Sequence, residues 1–127
     1  MAEPPPRYGP LQERVLRLVE DARRPLRGLE LVEGIRREGA AVAPSLVFRA
    51  IRTLADRGAI RKVHVDRSYT PGSGTSRVTL FCRQCGSVTE VACDAAFEGL
   101  DAVAAANGFV VSRSIVEVPG ICARCAR

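Results

Sequence analysis

Four cysteines in two identically spaced pairs, Cys82-x2-Cys85 and Cys122-x2-Cys125, carry the strongest chemical signal in this sequence. Two residues between cysteines let one tight turn aim both sulfurs at a single ion. Two such turns complete a tetrahedral thiolate shell, which suits zinc. Gly86, directly after the first pair, suits the left-handed backbone of such a knuckle. A shell of four protein ligands leaves no open position, so the spacing points to one structural Zn(2+) ion per chain rather than a catalytic one. Two redox dithiols, a disulfide-linked pair and an iron–sulfur cluster are the competing readings. Zinc is preferred because one CxxC is common and two matched ones are not. Metal binding and folding are coupled in modules of this size, so zinc loss is expected to unfold the C-terminal half. The fifth cysteine, Cys93, reads as a small buried hydrophobe at a strand end, with a metal or redox role as its alternative.

The remaining composition sets limits. The chain has 127 residues, enough for one domain or two small ones, and 46% of them are apolar. Aromatics are only 5% and tryptophan is absent, so the core must be mostly Leu, Val, Ile and Ala. Two half-size modules would each bury little surface and would need a metal ion or a partner chain. Net charge is +5, carried by arginine except for Lys62. The sign favours a polyanionic partner, although arginine usage also follows genome composition. No leader-like segment or membrane-length apolar run is visible, so a cytoplasmic protein without membrane contact is expected. One histidine, no Ser/His/Asp set and no phosphate loop argue against an enzyme.

The elements that position the cysteines follow from periodicity. Residues 1–10 carry four prolines and read as a flexible arm. Leu11, Val15, Leu16, Val19 and Ala22 share one helical face, ended by Pro25. A second helix is expected over Leu29 to Arg37, stopped by Gly39. Pro44 and Ser45 open a third, with Val47, Ala50, Ile51 and Leu54 as its buried stripe and Gly58 as its stop. Residues 59–65 alternate like a strand, Asp66-Arg67 forms the turn and Ser68 to Thr70 the return strand. Three helices and a hairpin over 11–71 make a winged helix-turn-helix. Residues 72–76 form a linker. The module over 77–127 has strands at 77–81, 87–91 and 109–118. It also has a helix capped by Asp94 that buries Phe97, Leu100, Val103 and Ala104 and ends at Gly108. Pro119-Gly120 turns the chain into the second cysteine pair. The fold class is α+β.

A winged helix places its third helix in the major groove. The face opposite the buried stripe offers Ser45, Arg49, Arg52, Thr53 and Arg57. Arg14, Arg61, Lys62 and Arg67 are candidate phosphate contacts, which set affinity and salt dependence without specifying sequence. A solvated face is the alternative; Arg52 and Asp56 are four apart and could simply pair.

At this point the sequence resembles the ferric uptake regulator (Fur) family. Cys-x2-Cys-Gly-x-Val-x-Glu at 82–90 carries the resemblance, with Asn-Gly-Phe-Val-Val and Val-Glu-Val-Pro-Gly-Ile-Cys-x2-Cys at 107–125. Gln12-Glu13-Arg14-Val15-Leu16 is similar to the family's first helix. Pro44-Ser45-Leu46-Val47-Phe48-Arg49-Ala50-Ile51 resembles its recognition motif, normally Pro-x-Thr-Val-Tyr-Arg-Ala-Leu. Within the family the zinc uptake regulator (Zur) branch is closest in pattern, from Arg61-Lys62-Val63, Ser68-Tyr69 and Cys82-Arg83-Gln84-Cys85-Gly86. The resemblance implies a dimeric DNA-binding transcriptional regulator, a repressor, with Arg49 as the motif arginine and a structural zinc. It also implies a duplex DNA operator and a homodimer as partners, or a heterodimer with another family member.

Departures from the family are as informative. The histidine-rich stretch before the first cysteine pair is Ser76-Arg77-Val78-Thr79 here, and the last-strand histidine falls at Ser114 or next to it. The carboxylate of the C-terminal helix falls near Phe97. In the zinc-sensing pattern the ligands fall near Arg61, Gly72, Thr75 and Glu90, of which only Glu90 can bind metal. Arginines at such positions oppose a cation. Glu90, His64 and Cys93 remain as a weak second site, against the plainer reading of His64 as a wing residue and Glu90 as a surface strand residue. Asp66, Asp94 and Glu98 add only what helix-starting acids ordinarily do. A Fur-like regulator without the usual metal switch is therefore expected; a zinc-ribbon interaction module and a thiol redox switch are the alternatives.

Overall fold

The structure is a computed structural model that describes residues 7–72 and 76–127. These residues form four helices and six strands in two compact units, Met1–Lys62 with Asp66–Gly72 and Val63–Val65 with Ser73–Arg127. The class is α+β, as the sequence indicates. Residues 1–6 of the arm and 73–75 of the linker lie outside the described residues.

In the first unit, Pro10 sits at the first turn of helix α1 (Pro10–Asp21), where its missing N–H costs nothing. Gln12 Oε1 accepts the Gly9 N–H at 2.9 Å. Helix α2 (Gly28–Arg37) starts at a capping box, with Glu30 accepting the Arg27 N–H at 3.0 Å. The Arg24 guanidinium bonds the same carboxylate and holds the Glu30 carboxyl below its ordinary range. Helix α3 (Pro44–Asp56) stops in a Schellman turn, Ala59 N–H to Leu54 carbonyl at 2.9 Å and Gly58 N–H to Ala55 carbonyl at 3.1 Å. Val15 and Val19, Leu31, Val32 and Ile35, and Val47, Ala50, Ile51 and Leu54 form one buried cluster closed by Ile60. The helical periods read from the sequence therefore face a common core.

The wing consists of strands β2 (Ile60–Val63) and β3 (Ser68–Pro71). Strand β1 (Leu26–Arg27) pairs antiparallel with β3, Leu26 with Tyr69 and Arg27 with Ser68, in a sheet ordered β1-β3-β2. Two residues show no periodicity, so β1 was not legible in the sequence. The first wing strand ends at Val63 rather than Val65, and His64 and Val65 join the turn. Gly72, expected to begin the linker, instead closes the wing base. Its N–H bonds the Ala59 carbonyl at 2.9 Å, and a Cβ there would stand 2.0 Å from the Gly58 carbonyl oxygen.

The second unit contains strands β4 (Arg77–Cys82) and β5 (Val88–Ala92), an antiparallel hairpin running from Arg77 opposite Ala92 to Phe81 opposite Val88. Helix α4 (Asp94–Ala106) follows, then β6 (Glu117–Gly120), which lies parallel to β4 in the order β5-β4-β6. The strand over 109–118 is realised only from Glu117, and it continues through Pro119 and Gly120, which had read as a turn. Pro119 is tolerated because β6 is an edge strand. Cys93, not Asp94, occupies the N-cap of α4, and Asp94 begins its first turn, where a carboxylate favours the helix dipole. No α4 residue is buried: Phe97 and Ala104 are half-buried, while Leu100 and Val103 are exposed by 43% and 63%. The apolar spacing is present, but no layer of this chain covers it.

Candidate metal centre and nucleic-acid interface

Parallel pairing of β4 and β6 builds the metal centre. Cys82, the last residue of β4, lies opposite Gly120, the last of β6, so both cysteine turns leave neighbouring strands at the same end. The first turn closes through the Gly86 N–H to the Cys82 carbonyl at 2.8 Å, with Gly86 at φ +74°. The second closes through the Cys125 and Ala126 N–H groups to the Cys122 carbonyl at 3.0 and 2.9 Å. A bond from the Arg83 N–H to the Gly120 carbonyl, 2.8 Å, ties the turns together.

The four sulfurs of Cys82, Cys85, Cys122 and Cys125 all lie within 4.8 Å of one another, with Cys85 and Cys122 Sγ 3.8 Å apart. A tetrahedral zinc with bonds of about 2.3 Å has sulfur–sulfur edges of about 3.8 Å, so the donor set and its spacing fit that ion. The protein also prepares the charge. The N–H groups of Cys122 and Cys85 point at Cys82 Sγ, at 3.4 and 3.5 Å, and lower its pKa to about 6. Cys122 is lowered as well, chiefly by the Cys125 N–H. Cys125 is pushed up to about 12, first by its bond to Cys122 and then by burial. Ser87 Oγ lies 3.2 Å from Cys85 Sγ, an outer contact that the cysteine spacing could not reveal.

Cys93 is half-buried at the start of α4 and is not part of this group. Among the described residues the cysteine quartet is the one cluster of three or more metal-capable side chains. Glu90, His64 and Cys93 are not gathered into a second site.

The helix-turn-helix surface differs in chemistry. Ser45, Arg49 and Arg52 stand exposed on one face of α3, opposite the buried stripe. Phe48 is part-exposed at its edge, with its ring against Gly28. Arg57, the C-cap, is exposed; its guanidinium lies 5.5 Å from the Tyr8 ring and donates to the Arg7 carbonyl at 3.4 Å. Arg14 is engaged by Glu38 at 2.8 Å. In the wing, Arg61 and Lys62 are half-buried, while His64 and Arg67 are exposed. Residues 73–127 hold five arginines against five acids, so the whole +5 excess falls within residues 1–72.

The wing turn is held at both halves. Asp66 Oδ1 accepts the Ser68 N–H at 3.2 Å and the Ser68 hydroxyl. Glu117, the first residue of β6, accepts the His64 N–H at 2.8 Å and the Val65 N–H at 2.9 Å, one on each carboxylate oxygen. The sequence places Glu117 within the Val-Glu-Val-Pro-Gly motif but gives its side chain no role, because its partners lie more than 50 residues away.

Comparison with known proteins places these features in context. The model of the ferric uptake regulator family matches residues 7–118. The chain is 27% identical over 125 residues to the zinc uptake regulation protein of Escherichia coli (strain K12), covering 94% of this chain and 72% of that one. A crystal structure of holo XcZur superposes with a TM-score of 0.86 at 31% identity, over 97% of this chain and 89% of the other. A zinc uptake regulator complexed with zinc and DNA gives 0.87 at 26% identity, over 94% and 83%.

Proposed function

The chain belongs to the ferric uptake regulator family, and from that premise we propose that it is a dimeric, sequence-specific DNA-binding transcriptional repressor of the cytoplasm. It holds one structural zinc at Cys82, Cys85, Cys122 and Cys125. Proteins of this family are transcription regulators rather than enzymes.

The observation that carries the reading is the exposed polar and cationic face of α3, Ser45, Arg49 and Arg52, within the half of the chain that holds all the excess positive charge. Arg49 reads a base edge, and Lys62 and Arg67 meet phosphates, while Arg14 pairs with Glu38 and Arg57 lies against Tyr8. A relative solved with zinc and DNA supports the duplex as partner. Zinc supplies charge neutralisation and a cross-link when bound, and the four sulfurs hold it. The positions of the family's sensory histidines carry other residues, so the ion holds the fold rather than reporting metal supply.

Dimerisation is supported by apolar surface that the single chain leaves open. Leu100 and Val103 on α4 and Phe109, Val110 and Val111 beyond it are all exposed, Val110 by 96%. Apolar surface on this scale marks an interface. A second copy covers it in a homodimer; a heterodimer with another family member uses the same surface.

Genome-wide DNA capture with and without added zinc, iron and manganese tests the reading. Enrichment of a common duplex element under all conditions is expected. If no element is enriched in any condition, the regulator reading fails. If occupancy follows one metal strongly, the loss of the sensory site fails instead.

A further inference from the structure

We propose that Glu117 is a positioning residue for DNA binding: its carboxylate holds the wing turn by the backbone of His64 and Val65, and so sets the direction of the wing's basic side chains. This rests on the DNA-binding function proposed above and adds a residue to it.

The geometry is specific. Glu117 Oε2 accepts from His64 at 2.8 Å and Oε1 from Val65 at 2.9 Å, so both oxygens serve two successive amides. Bonds from N–H groups to an ionised acceptor are roughly twice as strong as neutral ones. The two amides are held by the two separate oxygens of one carboxylate, that of Glu117. Its backbone is fixed as well, because Glu117 opens β6 opposite Thr79 of β4.

The other half of the turn is held by Asp66 bonding Ser68, with Arg67 in the left-handed region at φ +59°. The whole tip is thus ordered before any ligand arrives. Lys62 lies two residues before the first clamped amide and Arg67 two after the second, so chain connectivity passes the constraint to them. A loose wing would have to be ordered on binding, which weakens affinity. The two clamped amides are also unavailable to a phosphate, which leaves that contact to side chains.

Charge makes the proposal discriminating. Removing a carboxylate near a DNA-facing wing should tighten binding by electrostatics alone. A positioning role requires the opposite sign.

The test uses the zinc-loaded full chain as wild type, Glu117→Gln and Glu117→Ala. Amide exchange is read at His64 and Val65 by NMR, metal content is measured, and affinity is titrated on a duplex selected by the wild type from a random-sequence pool. Expected are one zinc per chain in each protein and exchange at these two amides faster by about tenfold or more. DNA binding should weaken by about tenfold despite the lost negative charge. Glu117→Ala should exceed Glu117→Gln in both effects. If Glu117→Ala loses its zinc, the near-isosteric Glu117→Gln decides alone. Unchanged exchange at the two amides in a folded, zinc-bound variant overturns the proposal, and so does unchanged or tighter binding. If the wild type selects no duplex, the regulator reading fails and the positioning role with it, while exchange still reports whether the carboxylate holds the turn.

Discussion

Four thiolates repel one another, and the backbone here relieves only part of that repulsion. Amide donors bring Cys82 to about 6, while Cys125 is pushed up to about 12, first by its thiol's bond to Cys122 and then by burial. In the metal-free chain the signs oppose. Against an ordinary thiol value of 9.0, Cys82 adds stability that is full above that value and lost as pH falls to about 6. Cys125 adds stability that is full below that value and lost as pH rises to about 12. A zinc ion bound there would ease the conflict by placing two positive charges among the sulfurs. Since Cys82 is already ionised at neutral pH, zinc binding at pH 7 should release fewer protons than the quartet has thiols. Calorimetry in buffers of different ionisation enthalpy measures that number, and release of one proton per cysteine would contradict the backbone effect. Cys85→Ser should reduce metal content from one equivalent toward none and melt the second unit, seen by metal analysis and circular dichroism. On the DNA side, Arg49→Ala should cost about 1–3 kcal/mol of affinity and relax sequence preference at one position. Arg49→Lys should not restore it, since lysine lacks the planar fork. Selection from a random duplex pool separates these outcomes.

At the scale of elements, strand direction matters most. An antiparallel β6 would carry Cys122 and Cys125 to the opposite end of the sheet from Cys82. The parallel register with β4, set through the α4 crossover, brings the knuckles together. In the first unit, the wing base depends on backbone contact at Gly72. A Cβ at 2.0 Å from a backbone oxygen cannot be accommodated by a side-chain shift. Gly72→Ala should therefore destabilise the first unit by more than about 1 kcal/mol and leave zinc content unchanged. Denaturant midpoints with parallel metal analysis give the answer, and an unchanged midpoint would show that Gly72 is not a tight contact.

For the whole molecule, the two units carry different burdens. The first has a closed apolar core and all the excess charge; the second is neutral, carries the metal ligands and leaves its helix uncovered. An uncovered apolar face is the physical reason for expecting a second copy. Val103→Glu places a charge in that face and should shift the protein from dimer to monomer in sedimentation analysis, with the first unit's melting unaffected. A monomeric wild type would remove the premise.

The sequence alone determined most of the first unit, because a 3.6-residue apolar period and Pro or Gly punctuation are local properties that survive without tertiary context. Thiol type and CxxC spacing likewise restrict which ion the quartet could hold before any fold exists. The tertiary structure decided what depends on partners distant in the chain. Strand β1 exists only because β3 lies beside it. The long strand expected over 109–118 shrank to 117–120, because apolar alternation makes a strand only where a neighbour accepts its backbone. The α4 stripe is apolar yet exposed, since periodicity marks a face but not what covers it. The role of the Glu117 side chain was invisible for the same reason: a carboxylate's use is set by the amides that folding brings to it.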